Sequence, residues 1–241
     1  MITCATIWEK GDREQNEDFV GTQINGNEGL FVLADGLGGH GKGEVASRLV
    51  VETALQSYRT GGSHAGFLGE ICEQCQNALL QEQRRVHATM DMKTTFVACS
   101  VSADSICWVH VGDSRLYLFE RGRLRTRTTD HSVVQMLVYA GEIKEKEIRF
   151  HPDRNRLLKV MGTEWEKLEY ECSDVIDRRS GQALLLCSDG FWELIDEKKM
   201  EKCLKAAGTV QEWAQSMQEI VLRNGQNRDM DNYSAVCIWC S

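Results

Sequence analysis

The stretch ICWVHVGDSRLYLFERGRLRTRT, residues 106–128, decides the fold class. It divides into three short β-prone runs, 106–111, 115–120 and 124–128, which are separated by Gly, Asp or Ser residues. Runs of this length and spacing predict an antiparallel meander, because antiparallel strands can be joined by tight turns whereas parallel strands need long crossovers. The chain is therefore expected to contain antiparallel sheet.

Further strands and helices are predicted on both sides of this stretch. Strands are predicted at 2–9, 18–24, 29–34, 95–101, 168–176, 183–187 and 233–240, and helices at 44–58, 64–89, 197–207 and 210–223. Antiparallel groups of strands with helix pairs between them indicate two sheets packed face to face and covered by helices. We therefore predict an α+β fold, a four-layer sandwich of two antiparallel sheets flanked by helices.

One segment, about 131–162, differs in character from the rest. It begins with a short helix-like run at 133–140, continues through charged residues and contains the chain's one proline, Pro152. We interpret it as a flap inserted over the core. Because there are no internal repeats or linker-like stretches, residues 1–241 are expected to form one domain.

The composition limits the kinds of partner. The formal net charge is -8, with 28 Lys and Arg against 36 Asp and Glu, and this argues against nucleic-acid binding, which depends on clustered cations. Apolar runs are far shorter than the roughly 20 residues that span a bilayer, and the amino terminus does not resemble an export signal. We therefore expect a cytoplasmic protein with no membrane partner.

The chain has ten cysteines, and two pairs have CxxC spacing, Cys72/Cys75 and Cys237/Cys240. In a reducing compartment we expect free thiols. The second pair lies on a predicted strand, where residues three apart point to opposite faces and do not share a metal readily. A structural zinc site at the first pair is the alternative to small buried side chains.

Acidic residues recur where apolar strands begin or end. They are Glu17, Asp18, Asp35, Asp113, Asp189 and Asp231. Hard divalent cations prefer such oxygen ligands, although a single strand-end Asp is more often a turn former. Arg13 precedes the first two carboxylates by a few residues, as expected of a site that holds both a phosphate oxygen and a metal.

The segment 36–43 is rich in glycine and nearly matches the phosphate-binding loop GxxxxGK[ST]. Gly43, however, stands where a Ser or Thr hydroxyl holds Mg²⁺ in that loop. The predicted meander also conflicts with the parallel βαβ sheet that such a loop serves. A nucleotide hydrolase is therefore the weaker alternative.

Seven segments together resemble the metal-dependent protein phosphatase family of type 2C, in its compact bacterial form. They are REQNED at 13–18, ADGLGGHGKGEVAS at 34–47, KTTFVA at 93–98, VGDSRLY at 111–117, TDHSVVQMLVYAGEI at 129–143, CSDGFWE at 187–193 and DNYSAV at 231–236. The resemblance spans nearly the whole chain and implies a serine/threonine phosphoprotein phosphatase. It further implies two divalent metal ions, Mn²⁺ or Mg²⁺, between which a water is activated for attack on phosphorus.

The resemblance also assigns metal ligands. Asp35 would bridge the two ions, Glu17 and the Gly36 carbonyl would complete one site, and Asp189 and Asp231 the other. Asp113 with Asp189 matches a weaker third site.

Two further roles follow from the resemblance: Asp18 would act behind the ligands, and Arg13 would hold the substrate phosphate. The implied partners are phosphorylated proteins and an antagonist serine/threonine kinase, and we expect a monomer. A catalytically silent relative that binds phosphoproteins is the alternative, although such a protein would be expected to lack some of these carboxylates.

The sequence departs from the family pattern in a few places. Leu37 follows the Asp-Gly pair where many eukaryotic members carry a His that is proposed to protonate the leaving group, so the leaving-group acid is unassigned. His40 lies nearby, and we favour a structural role for it. Lys93 replaces a common Gly, and Tyr233 with Ser234 replaces Ile-Thr, without removing an expected ligand.

Overall fold

The computed structural model describes residues 1–37, 42–62, 66–88 and 91–240. Within these ranges the chain forms twelve strands, six α-helices and one short 3₁₀ helix, Glu145–Phe150. The strands are β1 (Ile2–Glu9), β2 (Asp18–Asn25), β3 (Glu28–Leu37), β4 (Lys93–Thr94), β5 (Phe96–Val101), β6 (Ser105–Val111), β7 (Arg115–Glu120), β8 (Arg123–Arg127), β9 (Glu171–Cys172), β10 (Ile176–Asp177), β11 (Gln182–Cys187) and β12 (Tyr233–Cys240). The helices are α1 (Lys42–Gly61), α2 (Phe67–Val86), α3 (Val133–Tyr139), α4 (Asp189–Trp192), α5 (Glu197–Ala206) and α6 (Val210–Gly225).

The strands form two antiparallel sheets. One sheet has the order β1-β12-β11-β7-β8, and the other has the order β10-β6-β5-β3-β2, with β4 and β9 paired to β3 and β6. One apolar cluster lies between the sheets, a second packs α1 and α2 on one sheet, and a third packs α4, α5 and α6 on the other. The four-layer sandwich predicted from the sequence is confirmed.

The apolar residues of strand β11 explain its central position in the sheet. All six residues of QALLLC are buried, as in a strand covered on both faces. Leu184 and Leu186 lie in the cluster between the sheets, while Leu185 and Cys187 lie in the helix-covered cluster. The alternation of a strand thus serves two apolar layers at once.

The predicted meander over 106–128 is wrong in one respect. Strands β7 and β8 pair with each other, but β6 belongs to the opposite sheet. The chain changes sheets at Gly112, whose φ of +101° favours glycine, and a Cβ there would lie 2.7 Å from Cγ2 of Thr95. The turn 112–114 therefore bridges the two layers, which places Asp113 at the end of the sandwich.

The prediction of one strand at 168–176 is also wrong, because only two short strands form there, β9 and β10, each two residues long. Both pair with β6. Between them the Ser173 hydroxyl, rather than a main-chain carbonyl, accepts the N–H of Trp108 at 2.9 Å. This side-chain bond interrupts the regular ladder.

The helix predicted at 64–89 is observed as α2, which His87 ends with a left-handed φ of 55°. Both ends of the predicted range, His64 and Thr89, lie outside the described residues. In the segment 131–162, α3 and the 3₁₀ helix form, and isolated β-bridges join Ser132 to Leu157 and Thr94 to Met161. Helix α4 was not predicted.

Seven of the ten cysteines are buried packing residues, and Cys172 is exposed. Cys72 and Cys75 are buried on α2, and burial raises the pKa of both thiols, which disfavours the thiolate that a metal requires. Cys237 and Cys240 point to opposite faces of β12, as predicted. All ten thiols are free. In the described part of the chain, no helix is long and apolar enough to cross a membrane.

Candidate active site and metal centre

The pairing of β2 with β3 places Asp18 opposite Asp35 at one end of the sandwich. Thr95 fixes the main chain at Asp35 from both sides. Its hydroxyl accepts the Asp35 N–H at 2.9 Å, and its own N–H donates to the Asp35 carbonyl at 2.8 Å. Two predicted site residues, Asp18 and Asp35, therefore lie side by side at the end of this sheet.

Glu17 and Gly36 lie next to this pair. The Gly36 N–H donates to the Glu17 carbonyl at 3.0 Å, and the Glu17 carboxylate lies against Gly43 at the start of α1. A Cβ on Gly36 would be 2.3 Å from the Gly43 carbonyl oxygen, so only glycine allows the helix to approach the strand this closely. The dense glycines thus bring a carboxylate, a strand end and a helix start together.

Asp189 comes from the other sheet, as the first residue of α4 after β11. The preceding residue, Ser188, links the two sheets. Its hydroxyl donates to Oδ2 of Asp18 at 2.7 Å and accepts the Ser234 N–H at 3.0 Å. Asp18 is therefore oriented from behind by a buried hydroxyl.

Asp231 lies just before β12 and forms an ion pair with Arg13, whose Nη2 is 2.8 Å from Oδ2 of Asp231. Both side chains are partly exposed, so the pair contributes little stability, of order 0–1 kcal/mol. A cavity of about 140 Å³ opens here, lined by Arg13, Arg154, Asp189 and Asp231 among others. Arg13 thus lies at the mouth of the carboxylate cluster.

The carboxylates strongly perturb one another. Burial, followed by the charges of neighbouring acids, raises the pKa of Asp18 to about 7 and that of Asp189 to about 7. The same causes raise the pKa of Asp35 well above its ordinary value, with Asp18 and Asp189 as the strongest neighbours. Burial and the charge of Asp231 also raise the pKa of Glu17.

These side chains fit a divalent cation. Oδ1 of Asp18 is buried and has no hydrogen-bond partner, and the surrounding groups are carboxylates whose mutual repulsion a cation would relieve. Carboxylate and carbonyl oxygens are the ligands of Mg²⁺ and Mn²⁺.

Asp113 is buried at the same end of the molecule. Burial, followed by the charge of Asp189, raises the pKa of Asp113. The Asp113 carbonyl accepts the indole N–H of Trp192 at 3.0 Å. The turn between the two sheets is therefore attached to α4.

The role of Asn232 was not predicted, although the residue lies in the motif DNYSAV at 231–236. The Asn232 amide accepts the Glu17 N–H at 2.8 Å and donates to the carbonyls of Lys10 and Gln15. It therefore fixes the loop that carries Arg13 and Glu17. Its one sequence signal is an Asn directly after a candidate ligand, Asp231.

Arg154 and Glu193 were also overlooked. The Arg154 Nε lies 2.7 Å from Oε1 of Glu193, and both residues line the cavity beside Asp189. The two residues are far apart in the sequence, and nothing in the local sequence of either residue indicates the contact.

A separate group of metal-type side chains, His110, His131 and Glu171, has ligand atoms within 4.8 Å of one another. The two imidazoles stack, with their ring centroids 4.7 Å apart and an angle of 16° between the ring planes. Their nitrogen lone pairs therefore lie in nearly parallel planes and do not converge on one point, as the ligands of a tetrahedral metal site would. Nδ1 of His131 also accepts the Gly112 N–H at 3.2 Å. This group supports the Gly112 turn.

Leu37 is the last described residue before the gap and is the Cα partner of Lys93 across the strand pair. His40, for which we favour a structural role, lies outside the described residues. The leaving-group acid is not assigned to either of them.

The comparisons with known proteins agree on one family. Residues 10–232 match the family described as protein phosphatase 2C. The chain is 35% identical over 211 residues to the serine/threonine phosphatase stp of Listeria monocytogenes, covering 84% of this chain and 82% of the relative.

Solved structures agree with this assignment. The crystal structure of the Mycobacterium tuberculosis serine/threonine phosphatase PstP/Ppp matches with a TM-score of 0.85 and 30% identity, covering 100% of this chain and 99% of that one. The catalytic domain of PstP in complex with 2 manganese ions matches with a TM-score of 0.83 and 29% identity, over 98% and 97% of the two chains. The chain therefore belongs to the protein phosphatase 2C family. It is an enzyme, a protein-serine/threonine phosphatase.

Proposed function

We propose that the carboxylate cluster between the two sheets is the place where this phosphatase hydrolyses phosphoserine and phosphothreonine, with two divalent cations, Mn²⁺ or Mg²⁺. One observation carries the proposal: the buried acids Asp18, Asp35 and Asp189 come together from both sheets, and burial and the charges of neighbouring acids raise the pKa of each. The manganese in the PstP structure supports the same choice of metal.

In this proposal Asp35 would be a ligand of both cations. Glu17 and the Gly36 carbonyl would hold one of them, and Asp189 and Asp231 would hold the other. These residues come from both sheets, so the folded sandwich, rather than any local motif, assembles the ligand set.

Two aspartates support this set. Asp18 is proposed to act from behind the ligands, where its Oδ2 accepts the Ser188 hydroxyl and its charge acts on Asp35 from the neighbouring strand. Asp113, whose charge is coupled to that of Asp189, is proposed as a ligand of a third, weaker cation.

When bound, the cations would supply a water of lowered pKa and would offset the negative charge of the phosphoryl group. Arg13 binds the phosphoryl oxygens. Its guanidinium is about half exposed at the cavity mouth, and the pair with Asp231 is weak enough to exchange for a dianionic phosphate. This contribution is mainly electrostatic.

The proposed substrates are phosphorylated proteins, with a serine/threonine kinase of the Hanks type as antagonist and a monomer as the active form. We propose that the whole chain is one catalytic domain. The segment 131–162 would act as a flap beside the cavity, since Arg154 of this segment lines it.

Hydrolysis of p-nitrophenyl phosphate and of a phosphothreonine peptide, with and without Mn²⁺, tests the proposal. We expect turnover only with the cation and its loss in excess chelator. Activity that survives chelation would contradict the metal mechanism. Phosphopeptide binding without turnover at saturating Mn²⁺ would favour the silent-regulator alternative. The nucleotide-hydrolase alternative is disfavoured because β3 pairs antiparallel with both β2 and β5.

A further inference from the structure

Arg149, in the 3₁₀ helix of the segment 131–162, reaches into the turn that follows Asp189. Its Nη1 donates to the carbonyls of Trp192 and Ile195, the second at 2.7 Å, and its Nη2 forms an ion pair with Glu197. The Arg149 side chain is only 9% exposed. A buried guanidinium with this many acceptors has a fixed position.

The acceptors lie where α4 ends. This helix has only four residues, and its last carbonyls lack partners within the helix. Arg149 supplies a partner to the Trp192 carbonyl at one end, while Asp189 occupies the other end. The position of Asp189 therefore depends on how firmly the end of the helix is held.

Trp192 extends the connection to the turn that joins the two sheets. Its indole N–H donates to the Asp113 carbonyl at 3.0 Å, and its ring contacts the Arg115 guanidinium with 3.4 Å between Cζ and the ring centroid. The residue whose carbonyl binds Arg149 is thus the one whose ring holds the Asp113 turn. A displacement of Trp192 would move both acids.

We infer that Arg149 is a positioning residue, which holds Asp189 and Asp113 at the separation that the catalytic site needs. The inference rests on the proposed function for the role of the two acids. It also gives the segment 131–162 a defined mechanical connection to the site. The Arg154–Glu193 pair is a second connection, but the Arg154 side chain is 36% exposed and binds one side chain instead of main-chain carbonyls.

The test is Arg149→Lys, which keeps the charge but loses the planar fork that reaches several acceptors. The matched control is Arg178→Lys. Arg178 also binds two carbonyls, those of Asn27 and Ser102, and one side-chain oxygen, Oδ1 of Asn27. It lies at an edge of the sandwich away from the carboxylates. Both variants remove the same kind of bridge.

Two readouts are needed. Amide hydrogen exchange of residues 189–197 in metal-free protein reports the position of α4 without any activity, and we expect faster exchange only in Arg149→Lys. In steady-state kinetics with Mn²⁺ we expect kcat to fall between about tenfold and a hundredfold, as a displacement of about 1 Å would produce, with a smaller change in KM.

Unchanged exchange together with unchanged kcat in Arg149→Lys would overturn the inference, as would an equal loss of kcat in Arg178→Lys at the same Tm. If Arg149→Lys does not fold, Glu197→Gln removes only the ion pair, and it must still accelerate exchange in 189–197 for the inference to stand. An inactive wild-type enzyme would contradict the proposed function, whereas the exchange result would still decide whether Arg149 fixes α4.

Discussion

Asp18 and Asp35 are Cα partners across the antiparallel pair β2–β3, so their carboxyl groups lie on the same face of the sheet at its end. Burial, followed by the charge of Asp18, raises the pKa of Asp35, because two buried like charges on neighbouring strands repel. The fold therefore holds a concentration of negative charge that is unfavourable by itself and favourable around a cation. This relationship underlies the first two predictions.

Asp35→Asn is expected to abolish turnover and leave the fold intact. A neutral amide removes the charge that is proposed to lie between two cations, while the side chain keeps its size and the main-chain N–H keeps its bond to the Thr95 hydroxyl. Phosphopeptide hydrolysis and calorimetric metal stoichiometry, both with Mn²⁺, are the measurements. Asp177→Asn, at an exposed position of β10, is the control and should behave as wild type. Near-normal activity of Asp35→Asn at saturating Mn²⁺ would show that Asp35 does not bridge.

The metal-free protein should lose stability as the pH rises from about 4 to about 7. The pKa of Asp18 is about 7 in the folded chain and its ordinary value is 3.8, so in this window the folded state holds a proton that the unfolded state has released. Above about pH 7 the folded chain carries the buried charge, and that cost persists. Mn²⁺ should therefore stabilise the protein more at pH 8 than at pH 5.

The measurement is Tm in chelator at pH 5 and pH 8, compared between wild type and Asp18→Asn. The comparison is needed because His131, whose pKa burial lowers to about 4, changes stability in the opposite direction over part of this range. Each kcal/mol corresponds to about 2–4 °C for a chain of this size. We expect the Tm of Asp18→Asn to fall less with rising pH than that of wild type, and an equal or steeper fall would contradict the prediction.

The sequence was sufficient to predict the fold class, and it identified acids that the folded chain brings together, for a common physical reason. Apolar alternation locates the strands, and the polar residues that follow them must lie at the ends of the sheets, as Asp35 and Asp189 do. The prediction was wrong where the chain changes sheets at Gly112, since local periodicity does not report which sheet a strand joins.

Contacts between distant residues could not be predicted in the same way. Asn232 binds the Glu17 N–H across 215 positions, and Arg149 binds the Ile195 carbonyl across 46. Such bonds depend on the register of β1 with β12 and on the packing of the 3₁₀ helix against α4. Neither is encoded in a window of neighbouring residues.

Arg115→Met should destabilise the protein strongly. The Arg115 guanidinium binds both oxygens of Asp130 at 2.8 and 2.6 Å, and both side chains are almost fully buried. Removing one partner leaves a buried charge, which costs about 3–5 kcal/mol. Arg127, 3.6 Å from Asp130, offsets part of this loss.

Urea unfolding of Arg115→Met measures this free energy. Arg85→Met is the control, because its pair with Glu82 is on the surface and should contribute little to stability. A loss in Arg115→Met as small as that of the control would mean that the buried pair does not stabilise the fold. The double variant Arg115→Met with Asp130→Asn should recover part of the stability, since it leaves no unpaired charge.

Asp113→Ala is expected to retain the two tightly bound metals and to lose activity selectively. Asp113 lies on the turn that joins the two sheets, and its carboxyl group interacts with that of Asp189 but is not among the proposed ligands of the tight pair. If it serves the leaving group, its removal should matter most when the leaving oxygen is a poor one. A serine alkoxide needs a proton as the ester bond breaks, whereas p-nitrophenolate does not.

The loss of kcat should therefore be far larger on a phosphopeptide than on p-nitrophenyl phosphate, with calorimetry still reporting two tight sites. Asp104→Ala, in an exposed turn of the same sheet, is the matched control and should change neither substrate's kcat. Equal losses on both substrates, or the disappearance of a tight site, would assign Asp113 to the binuclear pair instead.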